Sequence, residues 1–402
     1  MKILDNLRWP MTLMTVISLL ASKAYAHNVL EAKVDLRLRY EHVDQDNDLL
    51  DADALTLRTR LNVTTKTMEG FSVLIDIEDS RQLLGLNEYN NTLGENTRYS
   101  VIADPETTEV DQALVQYKSK SLVAKVGRQV LAYDSHRFVG HVGFRQDRQT
   151  FDAVSVSYTG IQNLAVNYAY IGKRNRIFSN EKDINSQDQL FNVAYNSSVG
   201  TLSAYAYLLE VDSDFPNSLD SYGMRFTGKR KIDSWSILYS AEFAHQNNKN
   251  GSQSFDADYA LLELGATVSG LTAKLGYELL GSDQGRYGFS TPLATLHKFN
   301  GWTDPFLRTP NQGLEDRFLS LSGMAGDGKW LIACHDFSAD DVSDSNGSRS
   351  VDDLGREIGF QFVMPFAKRY SLGVKYANYS AGDSGSNKVD AEKLWIWLGA
   401  KF

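Results

Sequence analysis

The sequence predicts an all-β fold: a single closed antiparallel barrel of about eighteen strands that crosses a membrane, with short turns on one rim and long loops on the other. Three observations carry this reading. Apolar and polar residues alternate with period two through nearly all of the chain after residue 26. The connections between these segments run short, long, short, long without a break. Beyond the N-terminus, no run of about 18 apolar residues is available to cross a membrane as a helix.

The first element is an export signal. Lys2 and Arg8 precede an apolar core from Met11 to Ala21, and Ala24-Tyr25-Ala26 forms a small-x-small cleavage site. The expected division is therefore a signal peptide over 1–26 and an outer-membrane barrel over 27–402. The chain has 402 residues, a formal charge of -9 and one cysteine. These exclude a disulfide framework, a cysteine-based zinc cluster and the broadly basic surface of a nucleic-acid binder.

The strands follow in order. In the first, Ala32, Val34, Leu36, Leu38 and Tyr40 alternate with Lys33, Asp35, Arg37, Arg39 and Glu41. Leu55, Leu57, Leu61 and Val63 then alternate with Thr56, Arg58, Arg60 and Asn62, and Phe71, Val73, Ile75 and Ile77 with Ser72, Asp76 and Glu78. Similar runs occupy 109–117, 122–131, 151–159, 164–171, 189–195, 201–210, 220–227, 234–245, 257–268, 271–280, 316–322, 330–337, 355–364, 370–379 and 392–402. Short turns are expected at 66–70, 118–121, 160–163, 196–200, 228–233, 269–270, 323–329 and 365–369. Long polar connections are expected at 43–53, 80–108, 132–150, 172–188, 211–219, 246–256, 281–315, 338–354 and 380–391. A soluble sandwich gives no reason for this asymmetry. A barrel in the Gram-negative outer membrane does, with short periplasmic turns and long external loops. Closure follows because an open edge in lipid would leave bare N–H and C=O groups at several kcal/mol each.

The last strand ends on an aromatic residue, Phe402, with Leu394, Ile396, Leu398 and Ala400 on the same face. Such an end resembles the signal read by the barrel-assembly machinery. Tyr40, Tyr117, Tyr168, Tyr170, Tyr205, Tyr207, Tyr239, Tyr277 and Tyr376 lie on or at the ends of strands, and some of them are expected to supply interfacial girdles. The expected surroundings are outer-membrane lipid and lipopolysaccharide.

Two segments are more distinctive. One holds Val126-Gly127-Arg128-Gln129, Tyr133-Asp134, Arg137-Phe138-Val139-Gly140, Phe144-Arg145-Gln146 and Thr150-Phe151-Asp152-Ala153. The other runs from Thr291 to Trp302 (TPLATLHKFNGW) and continues to Asp304 and Phe306. Both resemble the alginate-export family of outer-membrane barrels, and the resemblance implies an eighteen-stranded channel. It also implies an electropositive conduit for a polyuronate. The inward positions here are instead mixed. Lys33, Arg37, Arg39, Arg58, Arg60, Lys125, Arg225, Lys274 and Lys375 are interleaved with Asp35, Glu41, Asp76, Glu78, Glu242, Glu263, Glu278 and Glu357. Small anionic or sugar-like solutes thus stand beside a polysaccharide as cargo.

The expected pore-lining set is Arg37, Arg39, Arg58, Arg60, Lys125, Arg128, Arg137, Arg145, Arg148 and Asp152. An inward fold of the 132–150 connection would bring Arg137, Arg145 and Arg148 to a constriction, where basic side chains favour anions. The alternative for these arginines is bracing of the wall by ion pairs. Strict alternation points Arg128 at lipid, and a bulge at Gly127 would be needed to turn it inward. His297, Lys298, Trp302 and Asp304 are expected in a loop near the mouth, where Trp302 either stacks on a sugar or packs within a folded plug. No nucleophile elbow, phosphate loop or metal-ligand spacing is present, so neither a catalytic site nor a cofactor is expected. The competing function is a surface-interaction, adhesin-like barrel acting through its external loops.

Overall fold

The computed structural model describes residues 29–214, 217–342 and 351–402. The expected signal peptide lies outside them. The strands are β1 (Leu30–Gln45), β2 (Ala52–Thr65), β3 (Phe71–Glu88), β4 (Thr107–Lys118), β5 (Leu122–Gln129), β6 (Thr150–Ile161), β7 (Leu164–Asn175), β8 (Ile184–Ser197) and β9 (Gly200–Leu209). They continue as β10 (Asn217–Ile232), β11 (Trp235–Asn250), β12 (Gln253–Val268), β13 (Leu271–Leu280), β14 (Leu314–Ala325), β15 (Gly328–Ser338), β16 (Asp353–Phe366), β17 (Tyr370–Ser380) and β18 (Ala391–Lys401). Each strand pairs antiparallel with the next in sequence. The first and last close the sheet, with Leu38 opposite Leu398 and Tyr40 opposite Ile396.

Alternation sets the two faces. On β3, Val73, Ile75 and Ile77 are exposed, whereas Ser72, Asp76 and Glu78 between them are buried. Leu262, Leu264, Leu275 and Leu319 continue the same exposed apolar surface around the barrel. In a soluble protein this surface would be an anomaly. On a closed barrel it is the band that meets acyl chains. Rings gather at the short-turn rim: Phe71 against Tyr117, Phe226 against Tyr239, and Tyr370 against Phe402. Tyr205 and Tyr207, among the girdle candidates, point inward and are buried.

The short turns fall where expected, but the external connections are less uniform. β11 and β12 run on to a two-residue connection, Gly251-Ser252, in place of an expected loop over 246–256, and Gly251 takes φ +61° as the tight turn requires. The loops expected at 43–53 and 80–108 shrink to 46–51 and 89–106 because β1, β2 and β3 extend past the apolar band. Above the band both faces meet water. Only backbone pairing has to continue there, and polar residues such as Asn247, Asn248 and Lys249 sustain it without an alternating pattern.

The lumen is not a uniform pore. Leu131, Phe138 and Val139 from the loop over 130–149 and Phe289, Leu293 and Phe306 from the loop over 281–313 pack into one continuous buried cluster. Inward residues of the wall, among them Ile171, Leu190, Tyr205, Tyr207, Tyr259, Leu280, Phe337 and Tyr379, complete it. This part of the barrel interior is thus packed like the core of a soluble protein.

Candidate functional site

The 130–149 loop folds into the barrel and meets the 281–313 loop edge to edge. Val139 and Leu293 form a parallel bridge. The Gly140 N–H donates to Leu293 O at 2.8 Å, and the Thr295 N–H donates to His136 O at 3.0 Å. Gln149 Nε2 donates to the carbonyls of both Gly140 and Leu293, at 2.9 and 3.1 Å. The approach is so close that a Cβ on Gly140 would lie 2.2 Å from Thr295 Oγ1. Phe138 is the apolar anchor, ringed by Tyr205, Tyr207, Tyr259 and Phe289 at centroid distances of 5.0, 6.0, 5.3 and 5.9 Å.

Ion pairs then fasten the two loops to the wall. Arg137 Nε lies 2.8 Å from Glu278, and its Nη2 donates to Asn300 Oδ1 at 2.9 Å. Asn300 Nδ2 in turn donates to Glu278 at 2.7 Å and to Asp316 at 3.1 Å. Arg145 reaches Glu41 at 2.9 and 3.0 Å and Asp304 at 3.3 Å. Arg39 pairs with Asp104 and Glu41 and donates to the carbonyl of Phe144. Both loop arginines are buried, so they act as struts. The bracing alternative describes Arg137, Arg145 and Arg39 better than the pore-lining one.

A second fastening surrounds Lys375 on β17. Its Nζ lies 2.8 Å from His297 Nε2 and sits over the rings of Trp302 at 4.1 Å and Phe144 at 4.6 Å. His297 Nδ1 meets Asp304 Oδ1 at 2.7 Å, and Lys393 Nζ meets Asp304 Oδ2 at 3.0 Å. Burial holds the His297 imidazole down to about 3, despite the pull of Asp304. The ring is therefore neutral at neutral pH, giving its Nδ1 proton to Asp304 and accepting from Lys375. Burial opposes charge on Asp304 too, but His297, Lys393 and Arg145 together hold its carboxyl well below the usual range. Trp302 is spent on this contact and on Gly359, where a Cβ would lie 2.6 Å from the indole, so it is unavailable to stack on a sugar. Lys298 remains exposed and donates to Ser135 O at 2.8 Å.

The remaining lumen is wet and charged, and lies against β1 to β4. A cavity of about 900 Å³ opens here from the short-turn rim, lined by Lys33, Asp35, Arg60, Asp76, Arg148 and Lys401 among others. At its upper end Arg148 Nε binds Asp111 at 3.0 and 2.9 Å and its Nη2 reaches Asp76 at 3.1 Å. Arg60 pairs with Glu78 and lies 3.5 Å from Asp111. Arg58 pairs with Asp35 at 2.5 Å. Among the described residues Arg37 has no carboxylate partner; it donates to Gln146 Oε1 at 2.9 Å and to the carbonyls of Gly143 and Arg145. Lys125 is on the lumen side of β5 and makes no ion pair among the described residues.

Arg128 and Asp152 stand apart from this group. β5 keeps its register with both neighbours through Gly127, despite φ +118° at that residue, so the bulge that would turn Arg128 inward is absent. Arg128 shares the outward face with Val126, Asp152 shares it with Val154, and the two form an ion pair at 2.7 Å. They lie beside the exposed Val126 and Val154, on the outside of the barrel, where the ion pair offsets part of the cost of charge next to lipid.

Several site residues escape a reading by alternation. Asp111 turns inward because β4 carries one extra residue opposite the Asp76–Ile77 step of β3. The break in the Val110-Asp111-Gln112-Ala113 pattern was the available signal. Asp104, Gln146 and Asn300 lie in loops and carry no periodicity at all. Among the described residues, no group of three or more His, Cys, Asp or Glu side chains could hold a metal ion.

Comparison with known proteins agrees with this architecture. Among solved structures, OccAB4 of Acinetobacter baumannii superposes with a TM-score of 0.73 at 13% identity, over 93% of this chain and 98% of that one. OccAB3 of the same organism gives 0.72 at 14% identity, over 93% and 99%. The outer membrane protein opdK of Pseudomonas aeruginosa gives 0.69 at 13% identity, over 92% and 99%. At such identities the likeness is one of fold. No curated protein matches the chain. Residues 29–283, well over half of the sequence, match the alginate export family, and the chain is a member of that family.

Proposed function

We propose that this protein is a passive outer-membrane channel for small anionic or sugar-like solutes, conducting through the wet half of its lumen. The observation that carries this reading is the division of the interior. Two loops and one wall make a dry core, and the wall of β1 to β4 keeps an aqueous cavity of about 900 Å³ lined by Arg60, Asp76 and Arg148, where Arg148 is ion-paired with both Asp76 and Asp111. Guanidinium groups at such a narrowing, only partly neutralised by adjoining carboxylates, favour anions. Carboxylate and phosphate groups would exchange with Asp76 or Asp111 at the guanidinium of Arg148.

The family's name points to alginate. The mixed charge of this lumen favours smaller cargo, although an extended acidic sugar chain has the same chemistry at each residue. Export through a cleaved signal over residues 1–26, and insertion by the assembly machinery through Phe402, complete the reading. Planar-bilayer recording of the mature protein tests it. Ohmic conductance with anion preference is expected, and Arg60→Ala with Arg148→Ala is expected to lower that preference. Reversal potentials unchanged by the double substitution would overturn the assignment of these arginines. Absence of conductance would favour an adhesin-like barrel instead.

A further inference from the structure

Charge is distributed unevenly along the barrel axis. At the short-turn rim, Lys33, Lys118, Lys229, Lys231, Lys329 and Lys401 all occupy lumen-side positions, and all six are exposed. Their orientation follows from unbroken register. Lys229 and Lys231 share a face with Arg225, which binds Glu242 inside the barrel. Lys329 shares one with His335, which meets Asp316 there. Only Lys33 and Lys401 have carboxylate partners among the described residues, Glu31 at 2.9 Å and Asp35 at 3.4 Å. Lys118, Lys229, Lys231 and Lys329 make no ion pair there. At the opposite mouth Asp44 at the end of β1 and Asp46, Asp48, Asp51, Asp212 and Asp214 in two of the connections are all exposed.

We propose that this lysine ring is an anion-capture site at the periplasmic mouth, which makes the channel electrically asymmetric: multivalent carboxylates and phosphates enter from the periplasm more readily than from outside. The proposal rests on the channel reading above and adds a direction to it. A ring of ammonium groups in excess over their carboxylate partners, around an aqueous opening with low-dielectric walls, raises the local anion concentration about 10- to 1,000-fold at low ionic strength. The external carboxylates act with the opposite sign on the same solute. The two rims are separated by the membrane, far beyond the Debye length of about 10 Å at 0.1 M salt, so each mouth sets its own solute concentration. The ring opens directly into the cavity that Arg60 and Arg148 face, because Lys33 and Lys401 line both.

The test is block of single-channel current by citrate added to one side at a time, in 0.1 M KCl. The external side is identified by a bulky label on Asp46→Cys, in a Cys334→Ser background. Half-block from the periplasmic mouth is expected at a citrate concentration at least about tenfold lower than from the external mouth. The difference is expected to fall below about twofold in 1 M KCl, where the Debye length is about 3 Å. Replacing the six lysines by Gln is expected to abolish the asymmetry, and replacing them by Arg to preserve it. Equal block from both sides, or asymmetry that survives the Gln variant, would overturn the proposal while leaving the channel reading intact. A protein without conductance would overturn the channel reading instead. The ring is then judged by calorimetric citrate binding to the detergent-solubilised protein, where equal affinity of wild type and Gln variant would refute it.

Discussion

Arg145→Ala tests whether the loop over 130–149 is a fixed part of the barrel. The guanidinium makes two hydrogen bonds to Glu41 and one to Asp304, and all three residues are buried. Removing one partner from a buried ion pair costs about 3–5 kcal/mol, because the remaining charge has neither water nor a counter-ion. Here the lower end applies. Glu41 keeps Arg39 at 3.1 Å, and Asp304 keeps His297 and Lys393. A loss of about 3 kcal/mol at about 1.4 kcal/mol per factor of ten raises the undocked fraction of the loop roughly 150-fold. The assay is limited proteolysis of the protein in detergent, under conditions where cleavage follows the open population. Cleavage within the loop is expected to accelerate about 100-fold. The barrel is expected to keep its far-UV circular dichroism, since no strand pairing is touched. Arg145→Lys, which keeps the charge but not the fork, is expected to fall between the two. A cleavage rate in Arg145→Ala within about threefold of wild type would refute the idea that this pair fastens the loop.

Phe138→Ala removes the ring at the centre of four aromatic contacts, and about 3–5 kcal/mol of docking energy with it. Because the Leu293 edge rests on the same loop, cleavage of the 281–313 loop is expected to accelerate together with that of 130–149, and protection of the second loop alone would contradict the shared core. Loop docking is also expected to weaken in acid. His297 is held down to about 3 when docked and returns to about 6.5 when undocked, so the open form binds the extra proton and docking stability is lost as pH falls from 6.5 toward 3. Asp304, held low in the docked state, adds to the loss at the acid end. Current noise that rises between pH 7 and pH 4, with a smaller slope in His297→Gln, is the expected signature; a flat profile would count against it. Arg128→Ala is expected to leave the reversal potential unchanged, because the side chain is on the outer face of the barrel, and a shift toward cations would place it in the pore after all.

The barrel itself was legible because a lipid-facing strand has only one way to satisfy its environment. Val73, Ile75 and Ile77 on one face and Ser72, Asp76 and Glu78 on the other fix both the strand and its orientation. The ends of the same strands were less legible. Above the apolar band, Asn247 to Asn250 pair with Gln253 to Asp256 through the backbone, with side-chain bonds only from Asn247 to Ser254 and Asp256, which leaves no periodic trace in the sequence. The interior was read only in part. Arg60 was found through type and parity, and Arg137, Arg145 and Arg148 were found as a cluster. Their function as struts depends on Glu41, Glu278, Asp304 and Asn300, which are scattered over 264 positions between Glu41 and Asp304 and beyond any local pattern. Asp111 was hidden by a single inserted residue that exchanges inside for outside.

The division of the lumen follows from what inward loops require. A loop of about twenty residues held in one conformation loses roughly 1–2 kcal/mol of backbone freedom per residue. Hydrogen bonds to a watery wall return little of that, because water competes for each one. Docking therefore needs apolar burial, and an inward apolar surface on the wall to receive it. β6 to β17 supply that surface through Ala153, Ile171, Leu190, Tyr205, Tyr259 and Leu280, positions that would be polar in an open pore. Once that wall is committed to packing, the open space left lies along β1 to β4 toward the short-turn rim, where Lys33, Asp35, Arg60, Asp76 and Arg148 line the cavity. The mixed charge of that wall is then a consequence of its crowding. Guanidinium groups so close together repel, and carboxylates set between them are what allows them to share one narrow aqueous path.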